Sequence, residues 1–332
     1  MKHNDIPKPE KDKLIIGIDL GGTKIGIALV NRNGQIKDYL KTSTLAEQGR
    51  EKVVGRLLQN ICHMINKSRE NDNEISGIGI GIPGPVNSKL GIVNFAPNLP
   101  GWDNVPIKNI LEKELNIPVK IENDANAAAW GEKIYGVAQG VNDLICITLG
   151  TGVGGGLILD GKIYHGKNFY AGEIGHMVVN KEGPQCNCGG YGCLEVYSSA
   201  TGIRNRIFLK IEESKKNETI SRAIAEIDFN IGLAKIFQQA REGHPVFHEI
   251  VNEAIEYLGM GITSLVNLLN PEMIVLAGGI ANEGDNLLKP IKKIVFQRAM
   301  SSHLEDFKLV LGSLGDFAGV IGSAALFWDA EK

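Results

Sequence analysis

The sequence contains no apolar run long enough to span a bilayer, and its first residues include no apolar segment typical of a secretion signal. Its formal net charge is only −3, so the charge balance does not indicate nucleic acid or an anionic membrane as a partner. Hydrophobic residues make up 43% and charged residues 22%, as in ordinary globular proteins, and 332 residues are enough for two domains. We expect a cytoplasmic chain without a membrane or nucleic-acid partner.

Cysteine is scarce and unevenly placed. Three of the five cysteines, Cys186, Cys188 and Cys193, stand close together, and His176 lies shortly before them. Three thiolates and one imidazole form a complete tetrahedral ligand set for Zn²⁺, and the intervening glycines allow the backbone to turn so that the sulfurs converge. A disulfide with a spare thiol is the alternative, which a chain without signs of secretion disfavours. We therefore predict a zinc site.

Glycine, by contrast, is abundant, with 41 residues that often group beside apolar runs. Gly21-Gly22-Thr23 separates two predicted strands, 14–20 and 25–30, and Gly150-Thr151-Gly152 lies between two more within 143–160. Backbone N–H groups in such turns can approach phosphate oxygens closely, because glycine has no Cβ. Either turn alone reads as an ordinary hairpin, but the repetition predicts two related halves that each open with a phosphate-binding hairpin.

The rest of the chain alternates helical and extended patterns, which predicts an α/β fold. A third glycine pair, Gly278-Gly279, follows a predicted strand at 273–276. Further strands are predicted at 75–82 and 119–122. Helices are predicted at 51–70, 104–115, 125–135, 200–214, 220–239, 245–269, 286–300 and 315–328.

Several motifs together resemble the ROK family of sugar kinases, and within it the bacterial glucokinases. The most specific are Glu173-Ile174-Gly175-His176 and the cysteine cluster that continues to Glu195. The others are Asp19-Leu20-Gly21-Gly22-Thr23, Pro97-Asn98-Leu99-Pro100-Gly101-Trp102, Glu122-Asn123-Asp124-Ala125-Asn126-Ala127, the glycine run from Leu149 to Gly156, and Ala277-Gly278-Gly279.

The resemblance implies two actin-like (ribonuclease H-like) α/β domains that flank a central cleft, with sugar deep in the cleft and ATP near its mouth. We expect a small first domain over 1–123, joined by a C-terminal helix at 315–332, and a larger second domain over 124–314 with the zinc-binding insertion. ROK kinases are commonly dimers, so a homodimer or a dimer of dimers is expected.

The resemblance also implies roles for individual residues. Gly21, Gly22 and Thr23 would bind one side of the triphosphate and Gly150, Thr151 and Gly152 the other, Gly278 and Gly279 would lie near the nucleoside, and Asp19 would hold Mg²⁺ directly or through water. The residues expected to contact sugar hydroxyls are Asn123, Asp124, Glu173, His176 and Glu195. His176 can instead be a purely structural zinc ligand, and Asn98 is a weaker candidate, since a Pro-Gly turn also explains it.

Asp124 is the predicted general base that accepts the proton of the attacking sugar hydroxyl. It follows a predicted strand and precedes an alanine-rich helix, whose N-terminus favours the ionised carboxylate. The alternative is that Asp124 merely caps this helix.

The expected activity is ATP-dependent phosphorylation of a hexose at its 6-hydroxyl, with glucose first among the substrates. Two alternatives remain: a ROK kinase for fructose or N-acetylmannosamine, and a sugar-responsive ROK transcriptional regulator. Such regulators carry an additional N-terminal helix-turn-helix, whereas only about a dozen residues precede the first predicted strand here.

Overall fold

The computed structural model of the protein describes residues 13–214 and 232–328. The described residues form two compact units, one from those up to Ala127 together with those from Gly319 onward, the other from Ala128–Ala318. Because a compact unit need not fold independently, the expected domains at 1–123 and 124–314, with 315–332 joined to the first, stay a prediction.

A five-stranded sheet forms the centre of the first unit. The strands of this unit in chain order are β1 (Lys13–Leu20), β2 (Lys24–Val30), β3 (Ile36–Ser43), β4 (Glu74–Ile82), β5 (Val86–Asn87), β6 (Ile92–Phe95), β7 (Asp103–Val105) and β8 (Val119–Asn123). The large sheet has the order β3-β2-β1-β4-β8, in which β1, β2 and β3 are antiparallel and β4 and β8 run parallel to β1. A small antiparallel sheet, β5-β6-β7, accompanies it.

The second unit repeats this topology. Its strands are β9 (Leu144–Leu149), β10 (Val153–Leu159), β11 (Lys162–Ile163), β12 (Met273–Ala277) and β13 (Lys308–Leu311), in the order β11-β10-β9-β12-β13. Again the first three strands pair antiparallel, and β12 and β13 run parallel to β9. The glycine turns at 21–23 and 150–152 occupy the same place in the two sheets, between the first and second strands, so the predicted relation between the halves is confirmed.

Helices follow the strands in both units. They are α1 (Arg50–Glu70), α2 (Ile107–Leu115), α3 (Asp124–Ile134), α4 (Glu195–Ser198), α5 (Ala200–Ser214), α6 (Leu233–Arg241), α7 (Pro245–Leu269), α8 (Asp285–Arg298) and α9 (Ala318–Ala325). The bounds of α7 illustrate the local signals: Pro245 takes the first helical position, and Asn270 ends the helix in the left-handed region at φ 45°. None of the helices in the described ranges has the length and apolar character needed to cross a membrane.

Each unit has its own apolar core. In the first, Leu57 and Ile61 of α1 are fully buried in one cluster with Ile18 of β1. In the second, Ile262 of α7 is buried in a cluster with Ile147 of β9. Burial of such side chains stabilises each sheet against its helices by about 1.5–3 kcal/mol per side chain.

Helix α9 lies directly on the strand backbone of the first sheet. A Cβ on Gly17 would collide with the carbonyl oxygen of Val320, and one on Gly79 would collide with that of Ser323. Glycine in β1 and β4 therefore permits a close approach that no other residue allows. This contact places the C-terminal helix on the sheet formed by the N-terminal strands.

Two predicted elements differ in the structure, and a third lies partly outside the described residues. The helix predicted at 104–115 begins only at Ile107, because 103–105 forms β7 and Asn104 has φ 53°, outside the helical region. The segment predicted as one helix at 315–328 starts as a 3₁₀ turn, Gly315–Phe317, before α9. Part of the helix predicted at 220–239 lies outside the described residues, and α6 covers its end.

Candidate functional site

Four metal-ligating side chains converge in the second unit. The ligand atoms of His176, Cys186, Cys188 and Cys193 all lie within 4.8 Å of one another. Cys188 Sγ is 3.7 Å from Cys193 Sγ, and Cys186 Sγ is 3.7 Å from His176 Nδ1. A tetrahedral site with Zn–S bonds of about 2.3 Å has S···S distances of about 3.8 Å. The donor set therefore fits zinc in both chemistry and spacing.

Glycines shape the loop that carries the three sulfurs. Gly189 and Gly192 have φ values of 89° and 67°, a conformation that side-chain-bearing residues rarely adopt. The N–H of Cys186 donates to the carbonyl of Gly190 at 2.8 Å, which closes a turn around Cys188. The N–H of Gly190 lowers the pKa of the Cys188 thiol, and a lower pKa favours the thiolate that binds metal.

His176 presents its two ring nitrogens to different partners. It ends a 3₁₀ turn, Ile174–His176, and Nδ1 faces the sulfurs. Nε2 lies 3.9 Å from Oε2 of Glu173, an exposed carboxylate expected to contact sugar. A metal on Nδ1 fixes the tautomer that carries its proton on Nε2, so His176 can ligate zinc and still donate a hydrogen bond.

The second glycine turn, residues 150–152, contacts Glu195. This carboxylate belongs to the first residue of α4, and its Oε2 accepts a hydrogen bond from the N–H of Val153 at 2.9 Å. A Cβ on Gly152 would collide with the same oxygen. A residue expected to bind sugar and a turn expected to bind phosphate are thus in direct contact.

The first glycine turn, residues 21–23, has a similar neighbour. A Cβ on Gly22 would lie 2.7 Å from the Cβ of Asn98, the weaker sugar candidate. The hydroxyl of Thr44 donates to the carbonyl of Gly21 at 2.6 Å and fixes the turn from the other side. In both units, then, a sugar candidate packs against the glycine turn.

Asn123 is the N-cap of α3, so the capping of this helix does not depend on the carboxylate of Asp124 alone. Oδ1 of Asn123 accepts hydrogen bonds from the N–H groups of Ala125 at 3.0 Å and Asn126 at 3.1 Å, the geometry of an N-cap. The Asn123 amide nitrogen donates to the carbonyl of Gly84 at 3.0 Å. Asp124 is itself the first helical residue, and one of its oxygens accepts from Ala125 at 2.9 Å.

Asp19 and Asp124 carry interacting carboxylates in the first unit. Burial, and to a lesser degree the negative charge of Asp124, raises the pKa of Asp19 to about 6, against a smaller opposing effect of Lys41. Burial also raises the pKa of Asp124, although the N–H of Ala125 partly opposes this. Two acidic groups close enough to interact in this way can share a cation, or one can hold a cation while the other accepts a proton.

Gly278 adjoins the second glycine turn. It has φ 89°, and a Cβ there would lie 2.6 Å from the carbonyl oxygen of Leu149, the residue before Gly150. The 3₁₀ turn Gly279–Glu283 follows it at the end of β12. The two glycine groups of the second unit therefore lie side by side.

Two features of these groups were not predicted from the sequence. Nothing in the spacing of Glu195 reveals its hydrogen bond to Val153, since the two are far apart in the chain. The capping role of Asn123 does have a signal, because Asn is a favoured N-cap residue and stands directly before the helix.

Several known proteins are similar to this chain over most of its length. The model of the ROK family matches residues 15–330. A glucokinase of Halalkalibacterium halodurans is 37% identical over 323 residues, which cover 97% of this chain and 97% of the relative. A xylose repressor of Caldicellulosiruptor bescii is 34% identical over 312 residues, which cover 94% of this chain and 77% of the relative.

Among solved structures, a ROK family glucokinase from Streptomyces griseus in complex with glucose and AMPPNP has a similar fold. The TM-score is 0.78 at 34% identity, and the match covers 94% of this chain and 98% of that chain.

Proposed function

This chain belongs to the ROK family, and from that premise we propose that it is an ATP-dependent hexokinase that phosphorylates the 6-hydroxyl of a hexose, with glucose as the preferred substrate. The observation that carries this proposal is the pair of interacting carboxylates, Asp19 and Asp124, both with raised pKa values. Phosphoryl transfer requires a site for the cation and a group that accepts the proton of the attacking hydroxyl, and these two carboxylates supply both.

In the proposed reaction, Asp124 accepts the proton of the sugar hydroxyl as its oxygen attacks the γ-phosphorus of ATP. The bond between this phosphorus and the oxygen that bridges to the β-phosphate breaks, and ADP leaves with the electron pair. Mg²⁺, held by Asp19, would supply positive charge to the phosphates. The N–H groups of residues 21–23 and 150–152 would bind phosphate oxygens.

The candidates for sugar binding in the second unit surround the zinc site, and the main ones in the first lie at the start of α3. Glu173 and Glu195 can accept hydrogen bonds from sugar hydroxyls, and Nε2–H of a zinc-bound His176 can donate one. Asn123, whose side chain hydrogen-bonds to Gly84 and to Asp124, would contact a sugar hydroxyl beside the proposed base. The zinc ion would thus be structural, orienting a sugar-binding histidine.

A homodimer is expected by resemblance to the family, and light scattering after size exclusion tests this.

An ADP-release assay with glucose, fructose and N-acetylmannosamine tests the activity and ranks the substrates. We expect the highest kcat/KM with glucose and no sugar-dependent release with 6-deoxyglucose, which lacks the attacking hydroxyl. A preference for another hexose would move the chain to a different ROK kinase activity. Glucose binding without any ADP release would contradict the kinase and favour a sugar-responsive regulator, as the similarity to xylose repressors suggests.

A further inference from the structure

Glu132 is a buried acid that the proposed reaction does not use. It lies in α3, and none of its surface is exposed. Burying a carboxylate costs several kcal/mol unless hydrogen-bond donors replace the lost water. The donors around Glu132 therefore indicate what the carboxylate holds in place.

Most of these donors come from one segment, residues 312–314, directly after β13. Oε1 accepts from the N–H of Leu314 at 3.0 Å, and Oε2 accepts from the N–H of Ser313 at 3.2 Å and its hydroxyl at 3.3 Å. Oε2 also accepts from the N–H of Val137 at 3.0 Å, in the segment after α3. Bonds to an ionised carboxylate are about twice as strong as neutral ones, so this single side chain fixes the 312–314 backbone.

Glycine at position 312 is what allows the carboxylate to come so close. A Cβ on Gly312 would lie 2.6 Å from Oε1 of Glu132, well inside van der Waals contact. The N–H of Gly312 donates to the carbonyl of Leu276 at 2.8 Å, which ties the same segment to β12.

The segment held by Glu132 also lines a cavity of about 230 Å³. Part of the lining comes from Gly312 of the segment and from the residues that flank it, Leu311 and Gly315. Another part comes from the region of the Gly278 turn, with Leu276, Gly278 and Gly284. Of the nine lining residues, four are glycines and two are alanines, so much of the surface is backbone, and two leucines and Asn282 complete it. A surface of this kind suits a flat heteroaromatic base with its ribose, which stacks on apolar groups and bonds to backbone atoms.

We propose that Glu132 is a positioning residue for the nucleoside part of the phosphoryl donor. Its carboxylate holds residues 312–314 in the conformation that shapes the cavity, and it does so without touching the nucleotide. The inference rests on the proposed function, since it takes ATP as the donor.

The test is Glu132→Gln, which keeps the size of the side chain but replaces one accepting oxygen with an NH₂ group that faces N–H donors. Calorimetry should show AMPPNP affinity at least tenfold weaker and glucose affinity within twofold of wild type. In turnover, the KM for ATP should rise more than kcat falls. If the carboxylate were merely structural, its replacement would weaken the binding of both ligands or of neither.

Glu272→Gln is the matched control. Glu272 also accepts two backbone N–H groups in the second unit, from Asn142 at 2.7 Å and Asp143 at 3.0 Å, but the segment that it holds does not line the cavity. We expect this variant to bind AMPPNP and glucose as the wild type does. A loss of AMPPNP affinity equal to that of Glu132→Gln would contradict a specific role of Glu132.

Gly312→Ala provides a second variant in case Glu132→Gln does not fold. Its methyl group pushes against Oε1 and should weaken AMPPNP binding severalfold, again without affecting glucose. Wild-type AMPPNP affinity in the folded variants would overturn the positioning role alone. A wild-type protein that binds no AMPPNP would overturn the proposed function, and this inference with it.

Discussion

At the scale of single residues, the contact between Gly152 and Glu195 joins a proposed phosphate-binding turn to a proposed sugar-binding carboxylate. From its place in a glycine turn, position 152 would be assigned to the nucleotide alone. The collision of a Cβ there with Oε2 of Glu195 adds an effect on the sugar, because the carboxylate must move.

We therefore expect Gly152→Ala to raise the KM for ATP and also to weaken glucose binding, each by about tenfold, which corresponds to about 1.4 kcal/mol. Gly150→Ala is the control within the same turn, since a Cβ at Gly150 meets no atom within 4 Å. Calorimetry with glucose in the absence of nucleotide measures the effect on sugar binding separately from the effect on the KM for ATP. Unchanged glucose affinity in Gly152→Ala would show that the Glu195 contact does not matter for the sugar.

The role of Asp124 can be separated from helix capping because Asn123 provides the cap. Asp124→Asn should reduce kcat by about 10²-fold or more, as loss of a general base does, and leave the melting temperature and glucose affinity near wild type. Steady-state kinetics, thermal melting and calorimetry on the same preparation check this. A variant that retains most of its kcat would exclude Asp124 as the base and direct attention to Glu173.

Activity should also depend on the ionisation of both carboxylates. Burial raises the pKa of Asp124, and burial together with the Asp124 charge raises the pKa of Asp19 to about 6. Both groups are therefore protonated at higher pH than an ordinary aspartate, whose pKa is about 3.9. On acidification kcat/KM for glucose should fall as the pH drops through about 6, with the two groups titrating together. A profile that stays flat to pH 4 in folded protein would contradict this.

The sequence was informative about residues whose chemistry is local and less so about residues that act through distant contacts. Cys186, Cys188 and Cys193 predict their own convergence, because short glycine-rich spacing leaves few other geometries. Glu195 and Glu132, however, act on segments distant in the chain, and no periodicity or motif indicates which backbone N–H groups a carboxylate will meet.

At the scale of elements, the strands around the glycine turns could be predicted closely, whereas the small sheet β5-β6-β7 could not. The β1–β2 and β9–β10 hairpins have continuous apolar runs on both sides of a glycine turn, so local signals agree with tertiary burial. The strands β5 and β7 are two and three residues long, too short for any alternation of apolar and polar residues to appear.

The packing of α9 on the first sheet gives a prediction of its own. Gly79→Ala places a methyl group against the carbonyl oxygen of Ser323, a backbone atom that can move only with the helix. We expect the free energy of unfolding to fall by about 3 kcal/mol, as in other overpacked cores. Gly55→Ala, in the exposed middle of α1 where a Cβ meets nothing, should instead raise it by up to about 1 kcal/mol. Urea unfolding measures the free energy of unfolding of both variants. Equal values would show that α9 does not pack as described.

At the scale of the whole molecule, we expect a zinc ion at the group of His176 and the three cysteines to connect the stability of the chain with the binding of both substrates. The ligands lie on the turn that ends at His176 and on the loop from Cys186 to Cys193. Glu195 follows this loop by two residues, and its carboxylate accepts a hydrogen bond from the N–H of Val153, beside the glycine turn. Metal binding stabilises only the folded arrangement of these ligands, so its free energy is also folding free energy.

Elemental analysis of the purified protein should therefore give about one zinc per chain. Cys188→Ser should lose the metal, lower the melting temperature, and weaken both glucose and AMPPNP binding, because Glu195 loses its fixed position between the two. Cys62→Ser, which removes an exposed thiol outside the cluster, should keep the zinc and all three properties. Cys188→Ser could instead lose zinc and still bind glucose and AMPPNP like the wild type. In that case the metal stabilises only its own loop, and it does not affect substrate binding through the position of Glu195.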